Sequence, residues 1–514
     1  MNVIPRPTIV KETDGKFVFG VKSAVECPVP AAAELLSGVI AASGRDGVGK
    51  MSFAIAPVSS DYEMDITPDG ISARAANESG LFHAAVTVVQ LLFAYPDGIP
   101  CAHIEDKPRF AYRAVLLDVC RHFFDVATVK KFIDSMALFK FNYLHFHLSD
   151  DQGFRLQVDC MPKLHEIGSV RAETLGDGKV HKGYYTKAEI ADLVAYAGAR
   201  GIEIVPEIDV PGHMGAAIAA YPELWCSGRP IEVPTDFGIH DKVLCVGKEK
   251  TYDMLWEMLS EIAAMFPCKL FHLGGDEVPK LGWDKCEDCR NLMRREGLRN
   301  YEQLQGYFTN RALRMLEKLG KTVILWNEAL FSGLVDDSAI IQYWAFGKRS
   351  ADAVAKAVSE GGRKVVVSRC ANYYFDYPYG VTPLKKAYKF EPVLAEFGAN
   401  GNDCVFGVEC TLWTEHIADE ELLFQRTHPR AAAVAESGWS AAKDKDYADF
   451  EARLKAVLPM LDFFNVPYTP LGKCNPSLFG RIRQSSAWGV TNQSGANKDS
   501  ARNWRSSHMT PRDL

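Results

Sequence analysis

Hydrophobic positions change rhythm near residue 105. Before that point, short β-like runs at 17–21 and 52–56 lead into one strongly patterned helix at 81–93. There Leu81, Ala84, Ala85, Val88, Val89 and Leu92 share a face at the 3.6-residue period. Pro100, Asp106 and Pro108 then interrupt the pattern. Residues 1–105 therefore predict a small α/β domain followed by a linker. From Arg109 onward, short apolar, β-branched runs recur at 115–119, 143–148, 202–208, 270–273, 323–326, 340–344, 364–367 and 405–412. Helix-period stretches lie between most of them, at 126–140, 187–199, 252–265, 301–319, 350–359 and 391–397. Continuous apolar strands alternating with helices mean a parallel sheet buried on both faces. Eight such units over 106–470 predict a (β/α)8 TIM barrel with enlarged loops; a doubly wound open sheet is the alternative. Residues 471–514 lose all periodicity and turn rich in Ser, Asn and Arg, which predicts an irregular or disordered tail.

Composition narrows the class. With 47% apolar and 24% charged residues the chain is ordinary globular protein, and 514 residues make two or three domains. The balance of 58 basic and 65 acidic residues leaves a net charge of −7, which gives no footprint for nucleic acid or anionic lipid. Apolar stretches such as 84–94 fall short of the roughly 20 residues that span a bilayer. Met1-Asn-Val-Ile-Pro-Arg-Pro has no apolar core of a signal peptide. The thirteen cysteines are odd in number and scattered, as buried free thiols are. Together these point to a cytoplasmic protein, the alternative being a secreted or periplasmic one whose signal peptide has been removed. Cys286 and Cys289 form the one Cys-x-x-Cys; without a second pair or spaced histidines it reads as part of a surface loop rather than a zinc site.

In such a barrel the chemistry sits where the strands end. The first run ends Asp118-Val-Cys-Arg121-His122, the second His145-Phe-His147-Leu-Ser-Asp150-Asp151, and the third Glu207-Ile-Asp209-Val-Pro-Gly-His213. The fourth ends His272-Leu-Gly-Gly-Asp276-Glu277; later ones end Trp326-Asn-Glu328, Gln342-Tyr-Trp344 and Trp413-Thr-Glu415. Carboxylates, tryptophans and one arginine thus meet on one rim. An acidic pair arises often by chance, but Asp276-Glu277 follows an apolar strand and a Gly274-Gly275 turn. Two carboxylates crowded in a partly dry cleft cannot both ionise freely, so one becomes an acid near neutrality. Tryptophans at three strand ends suit the apolar face of a sugar ring, although any one of them suits a core equally. Arg121 fits a fork for vicinal hydroxyls or an ordinary ion pair. His145 and His147 point the same way on one strand. They allow a metal-dependent barrel hydrolase, but more often such histidines partner neighbouring carboxylates.

These motifs carry a resemblance. Leu117-Asp118-Val-Cys-Arg121-His122-Phe123, the His145–Asp151 run, Glu207-Ile-Asp209-Val-Pro211-Gly212-His213 and His272-Leu-Gly274-Gly275-Asp276-Glu277 resemble, in order, the motifs of the family 20 glycoside hydrolases, the β-N-acetylhexosaminidases. Trp326-Asn-Glu328, Tyr374-Phe-Asp376 and Leu412-Trp413-Thr-Glu415 follow in the same order, so the resemblance covers about residues 105–465. Residues 1–105 resemble that family's non-catalytic N-terminal domain. The departures are Phe146 and Phe154, where many relatives carry tryptophan; both look like packing positions.

The resemblance implies a retaining hydrolase without an enzymic nucleophile, in which the 2-acetamido oxygen of the substrate attacks its own anomeric carbon. Glu277 would be the general acid and base, and Asp276 would accept from the acetamide N–H. Tyr374 would donate to its oxygen, and Trp326, Trp344 and Trp413 would enclose methyl and ring. Arg121 and Glu415 would hold O3 and O4, Asp376 would sit near O4 or O6, and Asp150 with His213 would tune Glu277. The implied partner is a glycan with terminal β-linked GlcNAc or GalNAc, with no nucleic acid, no membrane, no cofactor and no metal. The chain would act as a monomer or homodimer. The resemblance leaves a lacto-N-biosidase and a non-catalytic sugar-binding module as further alternatives.

Overall fold

The computed structural model describes residues 1–345, 347–477, 480 and 484. In the N-terminal part a six-stranded sheet runs in the spatial order Ile9–Phe17, Ile99–Asp106, Tyr62–Thr67, Gly70–Ala75, Lys50–Ile55 and Ala24–Glu26. Helix Glu78–Ala94 packs on it, entered through Asn77, whose side chain accepts from the Gly80 N–H at 2.9 Å. Nearly every residue of this helix is buried, because helix Pro30–Ala42 and the C-terminal helix Tyr447–Phe463 pack against it as well as the sheet. The apolar run at 17–21 is not a strand: Phe17 ends the first strand, and Val18 and Val21 are exposed. The strand itself, Ile9–Phe17, is an almost wholly exposed polar edge, which hydrophobic patterning does not register.

All eight apolar runs of the second part are strands of one closed parallel barrel. They are β1 (Tyr112–Asp118), β2 (Tyr143–His147), β3 (Glu203–Glu207), β4 (Leu270–His272), β5 (Thr322–Trp326), β6 (Ile340–Tyr343), β7 (Val365–Val367) and β8 (Val405–Leu412). Closure comes from β8 pairing with β1, where Leu412 faces Leu117. Helices Val126–Ala137, Lys187–Gly198, Glu249–Met265, Tyr301–Lys318 and Lys348–Ser359 form where the period predicts them. Residues 391–397 do not form the expected α-helix. Pro392 follows Glu391, whose carboxylate is held by Arg109 at 2.6 and 3.2 Å and accepts from the Val393 N–H. Helix Arg430–Trp439 covers β8 and β1 instead.

The barrel interior is layered. Tyr112, Ala114, Val205, Leu270, Ile324, Ile340 and Val366 plug its floor. Above them lies a charged layer of His145, His147, Glu207, Gln342 and Glu409. Above that, Trp326, Trp344, Tyr374, Tyr377 and Trp413 form an aromatic layer.

Asp106 joins the two parts. It accepts from Tyr62 Oη (2.7 Å), Lys140 Nζ (3.0 Å), Trp439 Nε1 (2.7 Å) and the Thr8 N–H (3.0 Å). Glu436 and Arg453 make a second buried link, and Arg453 also donates to the Val3 carbonyl at 2.8 Å. No helix among the described residues is long and apolar enough to cross a membrane. The expected tail opens with one helical turn, Leu471–Cys474, whose Cys474 is buried; residues 478–479, 481–483 and 485–514 lie outside the described residues.

Candidate active site

The charged layer sets the positions of everything above it. Glu207 stands at the centre, with His145 Nε2 at 3.1 Å, His272 Nδ1 at 2.8 Å, His147 Nδ1 in a very short contact, and the Trp326 indole N–H donating at 2.9 Å. Burial alone would make His145 and His147 less basic. The charges of Glu409 and Glu207 outweigh it, lifting His145 to about 9 and, with Asp150, His147 to about 10. Both rings are thus held toward the protonated form by the carboxylates around them. They are the carboxylate partners that the sequence favoured.

The turn that carries Asp276 and Glu277 leaves β4 through Gly274 and Gly275. Gly274 has φ +63°, and a Cβ there would lie 1.8 Å from Asp209 Oδ1, so only glycine fits. Asp209 Oδ1 accepts from the Gly275 N–H at 2.8 Å, and Gln305 Nε2 donates to the Gly275 carbonyl at 2.7 Å. Burial and the neighbouring Asp276 push the Asp209 carboxyl well above the usual range. Among the described residues Asp276 Oδ1 is buried without a hydrogen-bond partner. Glu277 follows at φ +48°, a left-handed conformation that an unbranched acid adopts only under constraint. Burial and the Asp276 charge raise Glu277 to about 7.

His213 and Asp150 stand behind Glu277. His213 Nε2 lies 3.8 Å from Glu277 Oε2, and its Nδ1 lies 3.2 Å from Asp150 Oδ1 and 3.4 Å from Asp151 Oδ2. Burial opposes protonation of this ring, but the Asp150 charge outweighs it and holds His213 well above its usual range. Asp150 also anchors Arg121 Nη2 at 2.9 Å. Arg121 is further tied to Asp118 at 3.3 Å and Gln152 at 3.0 Å, lies over the Trp413 ring at 5.2 Å, and reaches Glu415 at 3.9 Å.

The aromatic wall is continuous. Trp326 meets Trp344 edge-on at 6.4 Å and Trp413 at 6.0 Å; Trp344 stacks on Tyr374 at 5.9 Å, and Tyr374 meets Trp413 at 6.4 Å. Trp326 is fully buried and forms the floor of this wall. Asp376 lies at its edge with Oδ1 buried and unpartnered among the described residues; burial and Glu415 raise its carboxyl well above the usual range. Phe146 and Phe154 are both wholly buried packing residues, as expected.

The residues given site roles by the resemblance thus gather in one region. Several supporting residues stood in those strand-end motifs without a role, and Glu409, Gln305 and Tyr377 were not singled out at all. Glu328 Oε2 accepts from Trp344 Nε1 at 2.9 Å, and burial with Asp276 raises its carboxyl well above the usual range. Asn327 Oδ1 accepts from the Trp344 and Ala345 N–H groups at 3.0 and 3.1 Å. Glu207, Glu409, Asp209, Gln305 and Tyr377 complete the set. A charged residue inside an apolar strand, as Glu207 and Glu409 are, was the available signal.

The sequence pattern "Glycosyl hydrolase family 20, catalytic domain" matches residues 110–442, and that family's domain 2 matches residues 1–107. The chain belongs to glycosyl hydrolase family 20. Among family members, a β-hexosaminidase of Akkermansia muciniphila is 36% identical over 76% of this chain and 82% of the relative. One of Porphyromonas gingivalis is 33% identical over 91% of this chain; the chain spans 64% of that relative's length. Among solved family 20 structures, the exo-β-N-acetylglucosaminidase of Vibrio harveyi in complex with N-acetylglucosamine superposes with a TM-score of 0.80. It is 31% identical, covering 91% of this chain and 78% of that one.

Proposed function

We propose that this chain is an exo-acting, retaining β-N-acetylhexosaminidase that releases terminal β-linked GlcNAc or GalNAc, using the acetamide of the substrate as nucleophile. One observation carries the reading: Glu277, raised to about 7, stands beside an Asp276 with an unpartnered buried oxygen, next to a continuous aromatic wall. A carboxyl protonated near neutrality donates to the leaving oxygen and, once ionised, draws the proton from the incoming water. Asp276 Oδ1 accepts from the acetamide N–H, which turns the carbonyl oxygen toward the anomeric carbon and offsets charge on the forming oxazolinium ring. Tyr374 donates to that oxygen, and Trp326, Trp344 and Trp413 confine the methyl group and the sugar ring. Confinement at near-attack distance supplies several kcal/mol as freedom lost before the reaction.

The Arg121–Glu415 pair and Asp376 supply donors and acceptors suited to O3, O4 and O6 of a terminal sugar, which supports exo action. The family relatives named β-hexosaminidase support the same substrate class. A panel of aryl β-glycosides tests the proposal. GlcNAc and GalNAc derivatives should turn over, a plain glucoside hardly at all, and a thiazoline mimic of the cyclised intermediate should inhibit competitively. Comparable glucoside turnover would require an enzymic nucleophile and overturn the reading.

A further inference from the structure

In sequence Cys286 and Cys289 stand alone, but the fold brings two more cysteines to them. Cys226 and Cys245 lie on the long loop that follows β3 and helix Gly215–Ala220. Cys286 caps helix Glu287–Glu296 on the loop after β4, and Cys289 lies in its first turn. Cys245 Sγ is 3.7 Å from Cys286 Sγ and 3.8 Å from Cys289 Sγ; Cys226 Sγ is 3.8 Å from Cys289 Sγ. All four sulfurs lie within 4.8 Å of one another. Sulfurs at the corners of a tetrahedron of ~2.3 Å metal–sulfur bonds are about 3.8 Å apart. A disulfide holds its sulfurs at about 2.05 Å, and all four of these cysteines are free.

The surrounding chain is shaped to this cluster. A Cβ on Gly247 would stand 2.3 Å from the Asp288 carbonyl carbon and the Cys289 nitrogen, so only glycine lets the two cysteine turns meet. Trp283, wholly buried, donates from Nε1 to the Leu244 carbonyl at 2.9 Å and ties the two loops beside the sulfurs. Cys245, Cys286 and Cys289 are buried and Cys226 half-buried. The N-terminus of helix Glu287–Glu296 adds a favourable field for the anionic cluster.

We propose that Cys226, Cys245, Cys286 and Cys289 bind one structural zinc ion as four thiolates. Four S–H protons pass to solvent, four zinc–sulfur bonds form, and no oxidant is involved. The four-sulfur set closes the coordination sphere, so the ion is structural and takes no part in hydrolysis. It staples the β3 loop, which carries His213, to the β4 loop, which carries Glu277, and so braces the two residues that meet at 3.8 Å.

The test uses the full chain produced in zinc-supplemented medium and purified without chelator. Elemental analysis should find about one zinc per chain, and a mercurial thiol reagent should release it stoichiometrically to a colorimetric chelator. Cys245→Ser should lower zinc retained against a competing chelator at least about tenfold, whereas Cys160→Ser, at an exposed free thiol elsewhere, should leave it unchanged. If Cys245→Ser does not fold, the mercurial release from the unmodified chain decides. A zinc-replete preparation with no bound zinc, holding four reactive thiols or two disulfides at these positions, would overturn the proposal; so would iron in its place.

Discussion

Two buried charged networks in this chain have opposite characters. At the joint between the N-terminal domain and the barrel, Asp106 is met by donors from four residues, one of them the ammonium of Lys140, and the side chains of Asp106 and Lys140 are fully buried. At the top of the barrel, Asp276, Glu277, Glu328, Asp376 and Glu415 share few cations. Asp276 and Asp376 each keep a buried oxygen without a partner among the described residues, and three carboxyls are pushed up in pKa. A satisfied network holds structure together, because removing one member strands the others. An unsatisfied one stores acidity and hydrogen-bonding capacity for a ligand. The difference fits a joint that holds the fold and, on the proposed function, a rim that serves the chemistry.

Substitutions at the two networks should therefore separate activity from stability. Glu277→Gln should lower kcat on aryl N-acetylglucosaminides by about 10³ to 10⁴ without lowering the melting temperature; full activity would remove Glu277 from the mechanism. Lys140→Met strands the Asp106 charge in a dry joint and should cost about 3–5 kcal/mol in denaturant unfolding while leaving kcat of the folded fraction unchanged. Asp276→Asn, at the mouth, should lower kcat about a hundredfold with little effect on stability; equal losses in stability at both networks would erase the distinction. Gln305→Ala frees the Gly275 carbonyl and should lower kcat about tenfold with KM nearly unchanged.

The smallest effect concerns pH. The folded state holds a proton on Glu277 up to about 7, whereas an exposed glutamate loses it near 4.5. Between these values the folded chain binds more protons than the unfolded one, so this residue makes stability fall as pH rises through that window. Glu277→Gln removes the effect: relative to the unsubstituted chain its melting temperature should be higher at pH 8 and alike at pH 4. The activity of the unsubstituted chain should fall as pH rises past about 7, as the acid loses its proton.

The barrel was readable because each of its strands is a short, nearly unbroken apolar run, and burial on both faces demands that composition. The same logic hid the first strand, Ile9–Phe17, whose exposed edge carries Lys11, Glu12, Asp14 and Lys16. It also misread 391–397, where the bond between Glu391 and Arg109 crosses 282 residues of sequence and holds the chain out of a helix. In the site, residues at strand ends were legible because chemistry gathers there. Glu409 and Gln305 were not, and Glu207 was visible without its role, because a carboxylate in a strand or an amide on a helix reveals its role only when its partners are known.

By itself the sequence determined the order of the eight barrel strands and most of the helices between them, the rim on which acids and tryptophans gather, and the family to which they belong. These follow from local periodicity and from motifs within one segment. Tertiary structure alone decided which carboxyl keeps its proton, since pKa depends on burial and on charges brought from other strands. It also decided that a lone Cys-x-x-Cys meets Cys226 and Cys245 across two long loops. Neither outcome lies in any single stretch of chain, because distances of a few ångströms are set by closure of the whole barrel.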